Sequence, residues 1–261
     1  MVETEVQEEK LFEQQKNVFS AKTPIQGQDG GVVTQLLING LKENRFDVAI
    51  VVNRTQGYNA QAVATENPEE VLAARGTKYF KINVLAKLRD LIEQGKRKIA
   101  ITCTPCQAAA TRKIFQSLKR QFPDIEISII GLFCFEAFDV TKLREEVKRV
   151  LNVDLDKAER TQIRKGKFYV LVDGREVSCR IRELEEAVDT GCRFCEDFTA
   201  RFADVSVGSV GSPQGFSTVI VRSVKGEELV NGLDAERAEV DKQEIVKLSK
   251  FKAERAQKKQ F

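Results

Sequence analysis

Residues 98–134, KIAITCTPCQAAATRKIFQSLKRQFPDIEISIIGLFC, decide the fold. KIAITC and IEISIIGLFC are apolar, β-branched runs, as expected of strands buried on both faces. Between them Thr104-Pro105 is a turn that opens a helix from Gln107 to Arg120. Strand, helix and strand in succession form one unit of a partly parallel sheet.

The same alternation extends on both sides. Upstream, GQDGGVVTQLLINGLKEN (27–44) sets a glycine pair ahead of Val32, Val33, Leu36, Leu37 and Leu41 at helical spacing, and FDVAIVV (46–52) reads as a buried strand. Helices follow at Pro68 to Ala74 and Val84 to Glu93, with another downstream at Val140 to Val150. After Val153 the pattern turns to short β runs: FYVLV and REVSCRI join through Asp173-Gly174, a hairpin signal. GCRFC, an ADVSVG strand, a Gly/Ser loop and a closing strand FSTVIVRS occupy residues 191 to 222 and the position just beyond. The expected class is α/β (α+β): a mixed sheet core flanked by helices, with an inserted β-hairpin subdomain over 154–182 and a C-terminal helix. The expected organisation is an N-terminal arm over 1–20, a central domain over 21–228 and a solvated helical tail over 229–261.

Composition excludes several function classes. With 42 basic and 39 acidic residues and a net charge of +3, bulk electrostatics predicts no nucleic-acid partner. The longest apolar run, Val48 to Val52, is far short of the roughly 20 residues that cross a bilayer. The charged opening MVETEVQEEK lacks a signal peptide's apolar stretch, so no membrane insertion and a cytoplasmic location are expected. There is no histidine, which removes Ser-His-Asp and Cys-His catalysis and every His-ligated metal.

Six cysteines in a chain of this size point away from a disulfide scaffold and toward metal or cluster ligation. Cys192 and Cys195 form C-x-x-C after Gly191; Cys103 and Cys106 form a second pair around Thr104-Pro105. Cys134 stands alone in GLFCFE, and Cys179, in the alternating run REVSCRI, reads as a small buried hydrophobe. Three uses remain open on residues alone: a zinc held by the two pairs, a thioredoxin-like dithiol at Cys103 and Cys106, and an iron-sulfur cluster, which also employs Cys134.

Gly27, Gly30 and Gly31 precede a helix and could offer backbone N–H groups to a phosphate, although the loop is not G-x-G-x-x-G. A second loop, Gly208 to Ser217, could do the same or be a plain turn. Neither is a Walker motif, so phosphoryl transfer is disfavoured. Basic residues recur at Lys78 beside Tyr79, at Arg164, Lys165 and Lys167 around Gly166, and at Arg222.

The ordered set DGGVVTQLL, GTKYFKI, TPCQAA, GLFCFEAF, KGKFYV, GCRFCEDFTARFADVSVGSVGS and STVIVR resembles the coenzyme F420 hydrogenase/dehydrogenase beta-subunit family from about Gln28 to Gly226. The resemblance implies FAD and a [4Fe-4S] cluster as cofactors and coenzyme F420 as substrate. It places the cluster ligands at Cys106, Cys134, Cys192 and Cys195; Cys103 stands where relatives commonly have glycine. FAD should be surrounded by Asp29, Gly30, Gly31, Thr34, Asn53, Lys78, Tyr79, Thr104 and Pro105, with Tyr79 available to stack. Arg164, Lys165 and Lys167 are the implied contacts to the acidic tail of coenzyme F420. Electrons would pass singly from a partner's clusters and leave as hydride from FAD, so no catalytic side chain is required. The implied partners are hydrogenase small and large subunits or a formate dehydrogenase-type subunit, within a hetero-oligomer. The alternative is an iron-sulfur electron-transfer or assembly subunit without flavin.

Overall fold

A computed structural model describes residues 15–258. Eight strands form the main sheet: Asn17–Lys22 (β1), Val48–Arg54 (β2), Ala60–Thr65 (β3), Lys98–Cys103 (β4), Glu126–Leu132 (β5), Val205–Gly208 (β9), Ser217–Val221 (β10) and Glu236–Ala238 (β11). Their order is β11-β1-β10-β9-β5-β4-β2-β3. Strands β2, β4, β5 and β9 are parallel, and the flanking pairs are antiparallel. The mixed α/β fold therefore matches the expectation from sequence. A second sheet stacks Arg160–Arg164 (β6), Lys167–Val172 (β7) and Arg175–Arg180 (β8), all antiparallel.

The helices are Val32–Lys42 (α1), Pro68–Ala73 (α2), Leu85–Glu93 (α3), Pro105–Gln121 (α4), Val140–Leu151 (α5), Val224–Val230 (α6) and Lys242–Gln257 (α7). Strand alternation sorts them onto two faces. Ala49 and Val51 of β2 face a core with Leu36 and Leu37 of α1, Val71 of α2 and Leu229 of α6. Val48 and Ile50 face the opposite core with Leu88, Leu91 and Ile92 of α3 and Ala108 of α4. A third core joins the small sheet to α5 through Phe168, Val170, Leu143, Val147 and Phe138.

Three expectations need correction. The arm over 1–20 gives way to a strand at Asn17: β1 lies between β10 and β11, and Ser20 and Ala21 are fully buried because both edges of the strand are paired there, with Ala21 facing the core. The rest of that arm, residues 1–14, lies outside the described residues. The tail over 229–261 is not a solvated helix: Glu236–Ala238 is an edge strand, and α7 buries Ile245, Val246, Lys252 and Ala256. Strand β3 was not foreseen, since AQAVAT has little apolar bulk and gains its structure by antiparallel pairing with β2.

Candidate functional site

Because β2, β4, β5 and β9 are parallel, their carboxyl ends share one edge of the sheet, where open α/β sheets bind ligands. That edge carries Asn53 at the end of β2, Thr104 to Cys106 after β4, and Phe133 and Cys134 after β5. Helix α1 precedes β2 and runs back along it, so its N-terminus at Gly31 returns to the same edge.

Cys106 sits in the first turn of α4, exposed, with its Sγ 3.4 Å from Thr104 Oγ1. Side-chain bonds hold that turn: Thr104 N–H and Oγ1 donate to Gln107 Oε1, and Gln107 Nε2 donates to the Ile82 carbonyl at 2.6 Å. Cys134 is half-buried and anchored by its N–H to the Phe198 carbonyl at 2.9 Å. Cys192 lies within a 3₁₀ turn, Thr190–Phe194, and Cys195 ends it; the start of the turn is capped by Asp189 accepting from Gly191 N–H at 2.9 Å. This turn is tied to the segment after Cys134 by Asp189 N–H donating to Ala137 O at 2.9 Å, while Ala137 N–H donates to Cys192 Sγ at 3.3 Å.

The thiols sense one another. Burial pushes the Cys134 thiol up to about 12; the Lys252 ammonium opposes this, and Cys192, Cys106 and Cys195 each add to the rise. Cys192 is likewise raised by burial, with Cys106 a further contributor. Cys103 behaves differently: it is 2% exposed among Ile99, Ile101 and Ala108, and burial raises its thiol strongly. It is a core residue, so the zinc and dithiol readings lose their first cysteine. Cys179 is also buried, pushed up to about 11 by burial, as its alternating strand foretold.

Among the described residues no three Cys, Asp or Glu side chains are grouped so as to hold a single metal ion. A mononuclear zinc would need its thiolates within about 4 Å of each other, given Zn–S bonds of about 2.3 Å. A cubane takes one thiolate at each of its iron corners and tolerates a wider spread. Four thiols from three segments, three of them within electrostatic reach of Cys134 and one receiving an N–H, fit that donor set.

The flavin-type residues divide into two groups. In the first, the α1 N-terminus has no side-chain cap and no acid in its first turn, so its N–H groups are available to an anion. Gly31 has φ 68°, and a Cβ there would lie 2.3 Å from the Ile25 carbonyl; only glycine makes this entry to the helix. Asn53 Oδ1 is buried without a hydrogen-bond partner, an acceptor that a ligand N–H would satisfy. Thr34 is buried on α1, and burial raises the Asp29 carboxyl. This cradle and orphaned acceptor fit a dinucleotide such as FAD.

The second group is already engaged. Lys78 Nζ donates to the Ala74 and Gly76 carbonyls at the end of α2, and burial, with Arg54 nearby, lowers it to about 8. Tyr79 accepts at Oη from Gln28 Nε2 at 2.6 Å and from Ile163 N–H at 3.0 Å, and its ring meets Phe168 edge-on. Its visible role is thus to tie the glycine loop to β6. Arg164 pairs with Glu176 and lies over the Tyr169 ring, while Lys165 and Gly166, both with positive φ, make the β6–β7 turn; Lys165 and Lys167 are exposed. Gly30 is wedged against β1 and β10, its N–H donating to Ser217 Oγ. The Gly208–Ser217 loop is a packed turn: Gly211 N–H donates to Glu244, and Ser212 bonds Ser20 and Thr218.

Sequence reasoning missed Gln28 and Lys252. Gln28 also accepts from Thr77 N–H, closing the loop onto the Lys78-Tyr79 segment, and its position beside Asp29 was the available signal. Lys252 has no sequence signal; it lies in a run of similar lysines.

Comparison with known proteins decides the family. Residues 18–89 match the model for the N-terminal part of the coenzyme F420 hydrogenase/dehydrogenase beta subunit, and residues 96–247 match that for its C terminus. The chain belongs to the coenzyme F420 hydrogenase/dehydrogenase beta-subunit family. It is 36% identical over 208 residues to the coenzyme F420 hydrogenase subunit beta of Methanococcus voltae, covering 78% of this chain and 74% of that one. It is also 36% identical over 263 residues to the coenzyme F420-dependent sulfite reductase of Methanocaldococcus jannaschii, covering 94% of this chain but only 41% of the relative. A chain in a structure of the F420-reducing [NiFe] hydrogenase complex from Methanosarcina barkeri superposes with a TM-score of 0.87 at 29% identity, covering 94% of this chain and 91% of that one. Within the family match, the glycine loop and Tyr79 fall in the N-terminal part and all four candidate ligand cysteines in the C-terminal part. Among the described residues no helix is long and apolar enough to cross a membrane.

Proposed function

We propose that this chain is a redox subunit that holds FAD and a [4Fe-4S] cluster and passes electrons between a partner's clusters and coenzyme F420. One observation supports the reading most: Cys106, Cys192 and Cys195 lie within electrostatic reach of Cys134, which follows β5 on the sheet edge that also carries Asn53 and the uncapped α1 N-terminus. Family membership agrees with it.

In this reading the four cysteines hold the cluster, the α1 N–H groups and Gly31 receive the FAD pyrophosphate, and Asn53 Oδ1 accepts a hydrogen bond from the flavin side. When bound, the cluster supplies one-electron transfer and FAD supplies hydride transfer to or from the deazaflavin. The chain's own contribution is position and field. The Thr104–Gln107 cap fixes the turn that presents Cys106, and the Asp189 cap fixes the turn that presents Cys192. Lys165 and Lys167, exposed on the β6–β7 turn, are the free cations for the anionic tail of coenzyme F420, whereas Arg164 is held by Glu176. Electrons come from another subunit of the hydrogenase or formate dehydrogenase type, within a hetero-oligomer.

Anaerobic purification followed by flavin, iron and sulfide analysis tests this directly. The expected protein is yellow-brown, contains flavin and iron, and reduces a dye with reduced coenzyme F420. Iron without flavin, and no dye reduction after incubation with FAD, would leave only an electron carrier; a colourless zinc protein would end the proposal.

A further inference from the structure

Lys252 is the most buried cation of the described chain, 1% exposed on the inner face of α7. Burying an ammonium is costly unless its donors are satisfied, and a carboxylate is the usual partner. Here both partners are carbonyl oxygens: Nζ donates to Cys134 O at 2.6 Å and to Asp197 O at 2.7 Å. One carbonyl belongs to a candidate cluster cysteine; the other lies two residues beyond a second one, Cys195, whose Sγ approaches the same Asp197 carbonyl at 3.7 Å. The rest of α7 closes on the same loop. Phe251 stacks on Phe135 with centroids 5.7 Å apart, and Arg255 pairs with Glu136 and lies over the Phe135 ring.

Neither carbonyl cancels the ammonium's charge, and the Asp197 carboxylate is turned to the Thr199 and Arg201 N–H groups, so the ammonium stands buried between the Cys134 and Cys195 loops without an ion-pair partner within 4 Å among the described residues. Four thiolates around a cubane make an anionic centre whose charge becomes more negative on reduction, and a cation held in a low-dielectric setting favours the reduced form. We infer that Lys252 is a positioning residue for the cluster proposed above: its ammonium ties the Cys134 and Cys195 loops together and raises the reduction potential of the cluster between them. The inference rests on the proposed cluster, and it makes α7 a working part of the redox site.

The test compares Lys252→Gln, which keeps a donor but removes the charge, Lys252→Met, which removes both, and Lys252→Arg, which keeps the charge. Lys250→Gln, the loss of an exposed charge on the same helix, is the control. Each full-length protein is reconstituted anaerobically with iron and sulfide, assayed for iron, titrated with dithionite while the reduced-cluster EPR signal is followed, and melted without metal. Lys252→Gln is expected to load iron but to shift the one-electron equilibrium about tenfold toward the oxidised form, about 59 mV more negative. Lys252→Met should fold and load less iron, and Lys252→Arg and Lys250→Gln should stay close to the parent. Loss of iron from a folded Lys252→Gln also supports the tethering role. The inference is overturned if the neutral variants load fully at the parent's potential, or if neither folds, which would make Lys252 a residue of general stability. A parent protein that takes up no iron would instead remove the cluster reading itself.

Discussion

The two C-x-x-C segments share a spacing and almost nothing else. In Cys103-x-x-Cys106 the first cysteine is the last residue of β4, packed in the core, while the second opens α4 in solvent. In Cys192-x-x-Cys195 both thiols are half-buried on one 3₁₀ turn capped by Asp189. A strand-to-helix junction turns residues three apart into different environments, whereas a tight turn keeps them together. Two-cysteine spacing thus says little about ligation until the backbone between the cysteines is known.

The strongest way to break this comparison is iron loading. Cys106→Ala, Cys192→Ala and Cys195→Ala are each expected to abolish the visible iron-sulfur absorption after reconstitution, while Cys103→Ala retains it; iron analysis of the four proteins decides. Stability should rank the first pair in the opposite order. Cys103→Ser places a hydroxyl in an apolar core and should cost about 1–3 kcal/mol in urea unfolding of the metal-free chain, whereas Cys106→Ser, at an exposed site, should stay within about 0.5 kcal/mol. The caps come next. Thr104→Ala, which removes the hydroxyl bond to Gln107 at the start of a long helix, should cost about 1 kcal/mol by the same measurement. Asp189→Ala should cost less, because only a five-residue turn depends on it, and should instead lower iron retention at Cys192.

The smallest effect is a pH profile of the metal-free chain. The folded-state pKa of Lys78 lies near 8, below its ordinary 10.5, so from about pH 8 the unfolded chain binds more protons and stability rises with pH. The thiols of Cys103 and Cys179 are raised above their ordinary 9.0, so above pH 9 the folded chain binds more protons and stability falls. Unfolding midpoints should therefore peak near pH 9. Lys78→Met should flatten the rise, and Cys103→Ala should weaken the fall; a profile that only falls would contradict the lysine assignment, and one that only rises the thiol assignment.

Much of the fold was legible where one stretch carries its own instruction. The β4–α4–β5 unit announced itself through two β-branched runs around Thr104-Pro105, and the β7–β8 hairpin through Asp173-Gly174, both of positive φ. Strands β1 and β11 were not legible, because their residues gain structure from partners distant in the chain: Asn17 pairs with Val221, and Ser20 with Ala238. Strand β3 pairs with its neighbour β2, but AQAVAT carries too little apolar bulk to announce a strand. The site divides similarly. Cysteine and glycine positions were readable, but the turning of Lys78 onto helix carbonyls and of Tyr79 onto Gln28 and Ile163 was not.

By itself the amino-acid sequence determined the absence of histidine chemistry, the α/β alternation and the helix entry at Gly31, since composition, periodicity and backbone sterics act over a few neighbouring residues. Only the tertiary structure decided that Cys106, Cys192 and Cys195 come within electrostatic reach of Cys134 and that one lysine among many on the C-terminal helix is buried against the Cys134 and Asp197 carbonyls. Those outcomes depend on parallel strand register and on the docking of α7, interactions between segments from 28 to 118 residues apart, which no local pattern encodes.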